Sequence, residues 1–176
     1  MIYIRKQTSQ EIHDITLISG ESLQLFGTQG YTESQLQAIN KLLVMNDCRI
    51  CIDCDLGVGQ EEADLIYNLN ITEYLSNVRH LLITNFPHNI ELDSIDFVQY
   101  TPLLQSLSIL GLIKKNISLL SLQKLKFLDT LCFGDYMEIS KKQYSVINNL
   151  TELKELEAKK LDVLCLNPVS YTHLTL

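Results

Sequence analysis

The chain has 176 residues, of which 46% are hydrophobic and 20% charged, and its formal net charge is −7. This length and composition predict a single globular domain. Residues 1–77 carry 4 Lys and Arg against 11 Asp and Glu, whereas residues 78–168 carry 10 of each kind, so neither part has the basic stripe that phosphate contacts require. The composition argues against a nucleic-acid partner and gives no reason to expect binding to an anionic membrane surface.

The cellular compartment is inferred from the first residues and from the cysteines. The opening MIYIRKQTSQ contains no apolar signal segment, and no run approaches the roughly 20 apolar residues of a membrane span. The five cysteines lack the spacing of a disulfide framework. The sequence therefore predicts a protein of the reducing cytoplasm.

Residues 1–46 are predicted to form an N-terminal capping region of mixed α and β structure. Alternating apolar residues at positions 2 and 4, and again at 15 and 17, predict two short strands. The segment ESLQLFGTQGYT contains Gly27 and Gly30 and is typical of a strand followed by a turn. Thr32 and Gln35 have the spacing of a capping box, and the apolar residues that follow up to Leu43 predict a helix.

From residue 47 to residue 167 the chain is predicted to be an array of repeats. The spacing L-x-x-L-x-L-x-x-apolar occurs four times, beginning at Val78, Leu104, Leu128 and Leu153, with intervals of 26, 24 and 25 residues. A fixed period of this size indicates stacked repeats rather than one closed core. Residues 48–54 fit a degenerate first copy, and residues 57–67 are predicted to form a modified turn and helix after it.

Each copy predicts one short strand with two different faces. Leu107 and Ile109, two residues apart, share one face, and Ser108 between them points to the other. One strand cannot bury its apolar face alone, but a stack of neighbouring strands can. The segments between the strands, 93–100, 114–124 and 140–150, have helical spacing and predict short helices behind the sheet.

These copies resemble the leucine-rich repeat family over residues 72–167, and the segment NLTELKELEAKKL is the most similar in wording. The chain departs from the family where Asn is usual, because those places hold Phe86, Leu112, Tyr136 and Leu161. The resemblance implies an irregular, bacterial member with an α/β solenoid fold, in which a curved parallel sheet lines the concave side and short helices lie on the convex side. It also implies recognition of a protein partner.

The last residues, VSYTHLTL, back-translate into a transposon-end adapter used to build sequencing libraries. The sequence therefore predicts that residues 168–176 are an adapter-derived tail, and they are excluded from the interpretation of the fold. Because no polar capping repeat precedes the tail, the array is expected to be a fragment of a longer protein.

Two clusters suggest metal chemistry but favour structural interpretations. Cys48, Cys51 and Cys54 have a spacing that can serve zinc or an iron–sulfur cluster, yet on a strand the middle thiol faces away from the other two. The carboxylates between Asp53 and Asp64 form only part of a calcium loop. No Ser or Cys stands near a His in a catalytic arrangement, so we expect no catalytic residue, no metal and no cofactor.

Stacking in register predicts three columns of side chains on the concave face. The first column holds His80, Ser106, Thr130 and Glu155; the second holds Leu82, Ser108, Cys132 and Glu157; the third holds Thr84, Leu110, Gly134 and Lys159. Arg49, Cys51 and Asp53 are expected to extend the columns toward the N-terminus. These residues, with the exception of Cys51 and Gly134, are the predicted partner-binding site, because a rigid shallow surface suits a protein better than a small ligand.

The sequence thus predicts a monomeric, non-enzymatic protein-binding module. Two alternatives stay open. The acidic first half suits an immunity or antidote protein that covers a basic toxin. The array can also be the recognition part of a longer enzyme whose catalytic domain follows residue 167.

Overall fold

The computed structural model describes residues 1–4, 7–17, 20–26, 30–54, 69–86, 91–134, 137–159, 161–166 and 173–175. The predicted turn and helix at 57–67 and the carboxylates from Asp55 to Asp64 lie outside the described residues, as do Gly27, Tyr136 and most of the predicted tail.

One parallel sheet organises the molecule. Its strands are β1 (Ile2–Ile4), β2 (Ser22–Phe26), β3 (Arg49–Asp53), β4 (His80–Thr84), β5 (Ser106–Leu110), β6 (Thr130–Cys132), β7 (Glu155–Glu157) and β8 (His173–Thr175). They lie side by side in the order of the chain, and every neighbouring pair is parallel. The predicted α/β class with a parallel sheet is confirmed, and the strand order is compatible with a solenoid-like layout.

The sheet is continuous at its N-terminal end. β1 and β2 pair with each other and β2 pairs with β3, so the ladder crosses the boundary that the sequence suggested at residue 46. The predicted strand at residues 15–17 is wrong. Helix α1 (Ser9–His13) ends just before it, and the amide of Ile15 donates to the carbonyl of Ile12 at 3.2 Å, which closes a turn instead of a ladder.

The predicted tail also contributes to the sheet. Residues 173–175, which belong to the predicted adapter-derived tail, pair with β7, and Leu174 stands opposite Leu156. The segment HLT has one apolar residue between two polar ones, as the segment ELE of β7 does.

Short helices link successive strands. Besides α1 they are α2 (Glu33–Met45) and α3 (Lys141–Ile147), together with 3₁₀ helices at Leu69–Tyr74, Asp96–Tyr100, Leu120–Lys124 and Val163–Cys165. The capping box predicted at Thr32 and Gln35 is present, and Ser140 caps α3 in the same way. The helix predicted over 114–124 is shorter than expected, because residues 115–119 form a turn and an irregular link before the 3₁₀ segment.

Among the residues that the structure describes, the buried apolar side chains form one cluster that extends from Ile4 to Leu166. The strands contribute their alternate residues, and the predicted ladder of Leu81, Leu107, Leu131 and Leu156 is confirmed in register and almost fully buried. Each such side chain contributes roughly 1.5–3 kcal/mol through burial. Because neighbouring strands share these contacts, the repeats stabilise one another.

Candidate partner-binding face

The other side of the sheet carries the predicted site, and we call this surface the open face. The first two columns are paired as the sequence predicts: His80, Ser106, Thr130 and Glu155 in one, and Leu82, Ser108, Cys132 and Glu157 in the other. Arg49, Cys51 and Asp53 stand beside His80, Leu82 and Thr84 and extend the columns as expected. Most of these side chains on β4 to β6 are half-buried, in contrast to the buried core residues between them.

The third column is shorter than predicted. Thr84 and Leu110 are paired on adjacent strands, but β6 ends at Cys132 and β7 ends at Glu157. Beyond that point the amide of Lys159 donates to the carbonyl of Met137 at 3.0 Å, so Gly134 and Lys159 do not continue the ladder. The sequence pattern could not reveal this, because the apolar spacing continues past the place where the backbone pairing stops.

The open-face residues of β1 and β2, among them Tyr3, Gln24 and Phe26, were not included among the residues predicted from the sequence. They lie on β1 and β2, where Tyr3 pairs with Gln24 and Phe26 pairs with Asp53. The segment SLQLF could have indicated that β2 belongs to the same sheet, because Leu23 and Leu25 alternate like the apolar residues of β3, β4 and β5.

The N-terminal end of the open face is aromatic. The rings of Tyr3 and Phe26 stack with centroids 5.6 Å apart and an angle of 21° between their planes. The Tyr31 hydroxyl donates to the carbonyl of Ile4 and accepts from the amide of Phe26, both at 2.8 Å, and so ties together the ends of β1 and β2. Tyr3 keeps 54% of its surface exposed, which leaves an aromatic side chain available for contact.

A buried polar pair lies next to these rings. The amide of Gln24 donates to the carboxylate of Asp53 at 2.9 Å, and each residue is only 9% exposed. A hydrogen bond that joins two buried polar groups fixes their positions, because either group alone would be costly to bury. The pair therefore gives this part of the face a defined shape and a carboxylate of fixed orientation.

Charge is arranged along the first column. The Nε2 atom of His80 lies 3.1 Å from a carboxylate oxygen of Asp47, and the exposed side chain of Arg49 stands beside His80 in the register. At the opposite end Glu155, Glu157 and Lys159 are all exposed. The middle of the open face is thus nearly uncharged, and its two ends carry both signs.

Cys132 lies in the middle of the face and is held by its neighbour. Its thiol donates to the carboxylate of Glu157 at 3.1 Å. Burial and this hydrogen bond raise the pKa of the Cys132 thiol to about 11, so the thiolate form is disfavoured at neutral pH. The thiol acts here as a small polar contact and lacks the ionisation that a nucleophile needs.

The three clustered cysteines are all buried on or beside β3. Burial raises the pKa of Cys48 to about 11 and that of Cys54 to about 12, and it also raises the pKa of Cys51. In the described part of the chain, no three His, Cys, Asp or Glu side chains are arranged to hold a metal ion.

Comparison with known proteins gives no relative: no protein-family model, no curated protein and no solved structure matches the chain. Among the residues that the structure describes, no helix combines the length and the apolar character needed to cross a bilayer.

Proposed function

We propose that this chain is an irregular leucine-rich repeat protein that binds another protein through the open face of its sheet, without catalysis. In this proposal the sheet is curved and the open face is its concave side. The partner-binding residues are those of the first two columns and Thr84, Leu110, Arg49 and Asp53, together with the exposed Lys159 beyond β7 and with Tyr3, Gln24 and Phe26 on β1 and β2.

The observation that carries the proposal is the in-register alternation of two chemically different faces. Leu81, Leu107 and Leu131 form a buried apolar ladder, whereas the residues beside them on the open face are half-buried and, apart from Leu82, small or polar. Core packing does not explain a column such as Leu82, Ser108 and Cys132. A rigid surface of this kind, with pre-ordered side chains, pays little conformational entropy when a partner docks.

The distribution of chemistry favours a protein over a small molecule. An exposed Tyr beside a stacked Phe is a typical anchor at protein interfaces, where aromatic residues are enriched. The centre around Leu82 and Leu110 offers half-buried apolar surface, and the charged ends supply a polar rim. This arrangement of an apolar centre with a polar border is the usual anatomy of a non-obligate interface.

Site-specific crosslinking tests the proposal directly. A photoreactive amino acid at Ser108 and, separately, at Leu82 should capture the same partner in cells that express the protein. The same probe at Leu112, which is exposed but lies outside the columns, is the matched control. Binding of the purified partner should then weaken at least tenfold in Ser108→Arg, and unchanged binding or capture from Leu112 alone would refute the proposal.

A second candidate function is that of an antidote protein that covers a basic toxin. It is favoured by the acidic N-terminal part of the chain, because residues 1–77 carry 11 Asp and Glu but only 4 Lys and Arg. Electrostatic steering raises the association rate of oppositely charged proteins and is screened by salt. If the partner is basic, the association rate should therefore fall steeply between low and physiological ionic strength. A rate that is independent of salt would eliminate this version and leave the general proposal intact.

A further inference from the structure

The open face carries opposite charges on two of its strands. Arg49 on β3 extends the first column at one side, and Glu155 holds the position of the same column on β7. Both side chains are exposed. In the described part of the chain, neither lies within salt-bridge distance of an opposite charge. Two exposed charges of opposite sign are therefore available for contact within a single column.

The order of charge is reversed at the carboxyl ends of the same two strands. Asp53 ends β3, and the exposed Lys159 follows β7. The segment RICID thus begins with a base and ends with an acid, whereas ELEAK begins with an acid and ends with a base. Asp53 is only 9% exposed and accepts a hydrogen bond from Gln24, so it contributes a local negative potential rather than a direct contact.

Strand β5 lies midway between these charged strands. The sheet order places β4 and β6 on either side of it, and β3 and β7 one strand further out. The open-face residues of β5 are uncharged and half-buried, and so are their neighbours in the second column: Ser106, Ser108, Leu110, Leu82 and Cys132. The charge of the open face therefore changes sign from one side of β5 to the other.

From this pattern we propose that the open face docks on the open face of a second copy of the chain, about a two-fold axis that runs along β5. The inference rests on the proposed function, because it names the occupant of the same face. Such an axis lays β3 of each copy over β7 of the other and keeps the first columns opposed. Arg49 of each copy then faces Glu155 of the other, so the same charge pair forms twice.

The shape of the face fits this arrangement. The sides of a concave sheet project beyond its middle, so the oppositely charged strands of the two copies meet first. Ser106 and Ser108 are small, and water can fill the space between them and their counterparts. Leu110 lies on the axis beside its own counterpart and supplies the apolar contact at the centre.

The extent of the face predicts a weak dimer. From β2 to β8 there are six strand spacings, or about 29 Å, and a five-residue strand is about 17 Å long. The buried area is therefore roughly 500 Å² per copy and about 1,000 Å² in total, at the lower end for specific interfaces. A weak, concentration-dependent dimer replaces the monomer that the sequence predicts.

Sedimentation velocity on the full chain measures the association. Between about 10 and 500 µM the average mass should rise from that of one chain toward that of two, with a dissociation constant on the order of 100 µM. Raising NaCl from about 0.05 to 0.5 M should weaken the association at least threefold, because salt screens exposed charge pairs. The mass of one chain over the whole range would overturn the proposal, and so would association that leaves the amide resonances of β3 to β7 unchanged on dilution.

Charge-reversal variants test the two-fold arrangement. Arg49→Glu and Glu155→Arg should each weaken self-association at least fivefold, because each places like charges opposite one another at two points. An equimolar mixture of the two variants should associate as the unaltered protein does, since both contacts then join a carboxylate to a guanidinium. A mixture that stays monomeric while the unaltered protein associates would exclude this pairing.

Two controls change the net charge by the same amounts away from the open face. Lys142→Glu lies on α3 and Glu73→Arg on the 3₁₀ helix Leu69–Tyr74, and both positions are exposed. Each should leave the dissociation constant unchanged within about twofold. If they weaken self-association as much as Arg49→Glu and Glu155→Arg do, net charge and not contact across the open face controls it, and the proposal fails.

Photocrosslinking of the purified chain separates this inference from the proposed function. A photoreactive amino acid at Ser108 should give a crosslinked dimer, because Ser108 lies next to the axis and faces its own counterpart. The same probe at Leu112, outside the columns, should not. If the purified chain stays monomeric and Ser108 captures a different protein in cells, the second copy is excluded as the occupant while the proposed function is kept.

Discussion

Truncation of Leu107 to alanine examines the shared apolar ladder at its centre. Leu107 is 0% exposed and lies between Leu81 and Leu131 on the two neighbouring strands. Removing buried methyl groups costs the lost transfer energy and leaves a cavity, which together amount to about 2–5 kcal/mol for Leu→Ala. We expect a cost of about 3 kcal/mol, because both neighbouring strands hold the cavity open.

Urea unfolding measures this cost. The molecule has no Trp but 8 Tyr, so far-ultraviolet circular dichroism and tyrosine fluorescence are suitable signals. With a denaturant slope of about 2 kcal/mol per molar, a loss of 3 kcal/mol lowers the midpoint by about 1.5 M. The matched control is Ser108→Ala, one residue away on the open face, which should cost less than about 1 kcal/mol because it removes only a hydroxyl.

The paired comparison can refute the assignment of faces. If Ser108→Ala lowers the midpoint as much as Leu107→Ala does, or more, the inward and outward residues of β5 have been exchanged. Combining Leu107→Ala with Leu131→Ala adds a test of stacking. Residues in contact across adjacent strands should show a coupling energy of about 0.5–3 kcal/mol. Strictly additive losses of unfolding free energy would argue that Leu107 and Leu131 do not pack against each other.

Three further predictions concern single contacts. At pH 8 the Cys132 thiol, with its pKa raised to about 11, should be alkylated about 100-fold more slowly than in the unfolded chain. Glu157→Gln removes one cause of the raised pKa and should therefore speed the alkylation. Peptide mass spectrometry measures both rates, and an unchanged rate in the variant would contradict this role of Glu157. Asp53→Ala removes the acceptor of the buried Gln24 amide and should lower the free energy of unfolding by about 1–3 kcal/mol, or the melting temperature by roughly 2–12 °C. Asp53→Asn should destabilise the protein less. Equal losses of stability in the two variants would argue against the hydrogen bond. Gly111→Ala should destabilise the protein, because the added methyl group overlaps the ring of Phe86. When Phe86→Leu is combined with it, the loss of stability should be smaller. Additive shifts of the melting temperature would show that the ring is not the obstacle.

The protonation of the cysteines determines which kind of contact the open face can make. Cys132 and the β3 cysteines have raised pKa values because burial disfavours the thiolate. The neighbouring carboxylates of Glu157 at Cys132 and of Asp53 at Cys51 raise the pKa of these thiols further. A face of protonated thiols, hydroxyls and half-buried Leu side chains suits docking of a partner surface. It lacks the ionised nucleophile that covalent chemistry requires.

The amino-acid sequence by itself determined the ladder. Leu107 and Ile109 must share a face because strand residues alternate, and the near-constant interval places Leu81, Leu107, Leu131 and Leu156 at equivalent positions of successive repeats. The columns of the open face follow from the same alternation. These features are periodic and local, so they can be seen without knowledge of long-range contacts.

Only the tertiary structure decided where the sheet begins and where its columns end. β1 and β2 join the ladder because each finds a parallel neighbour more than 15 residues away along the chain, which no local pattern specifies. The pairing of β2 with β3 brings Gln24 to Asp53. The pairing of β6 with β7 ends at Cys132 and Glu157, and Gly134 and Lys159 therefore do not continue the third column. Backbone pairing between distant segments depends on how the whole core packs, and the alternation of residues within one strand does not contain that information.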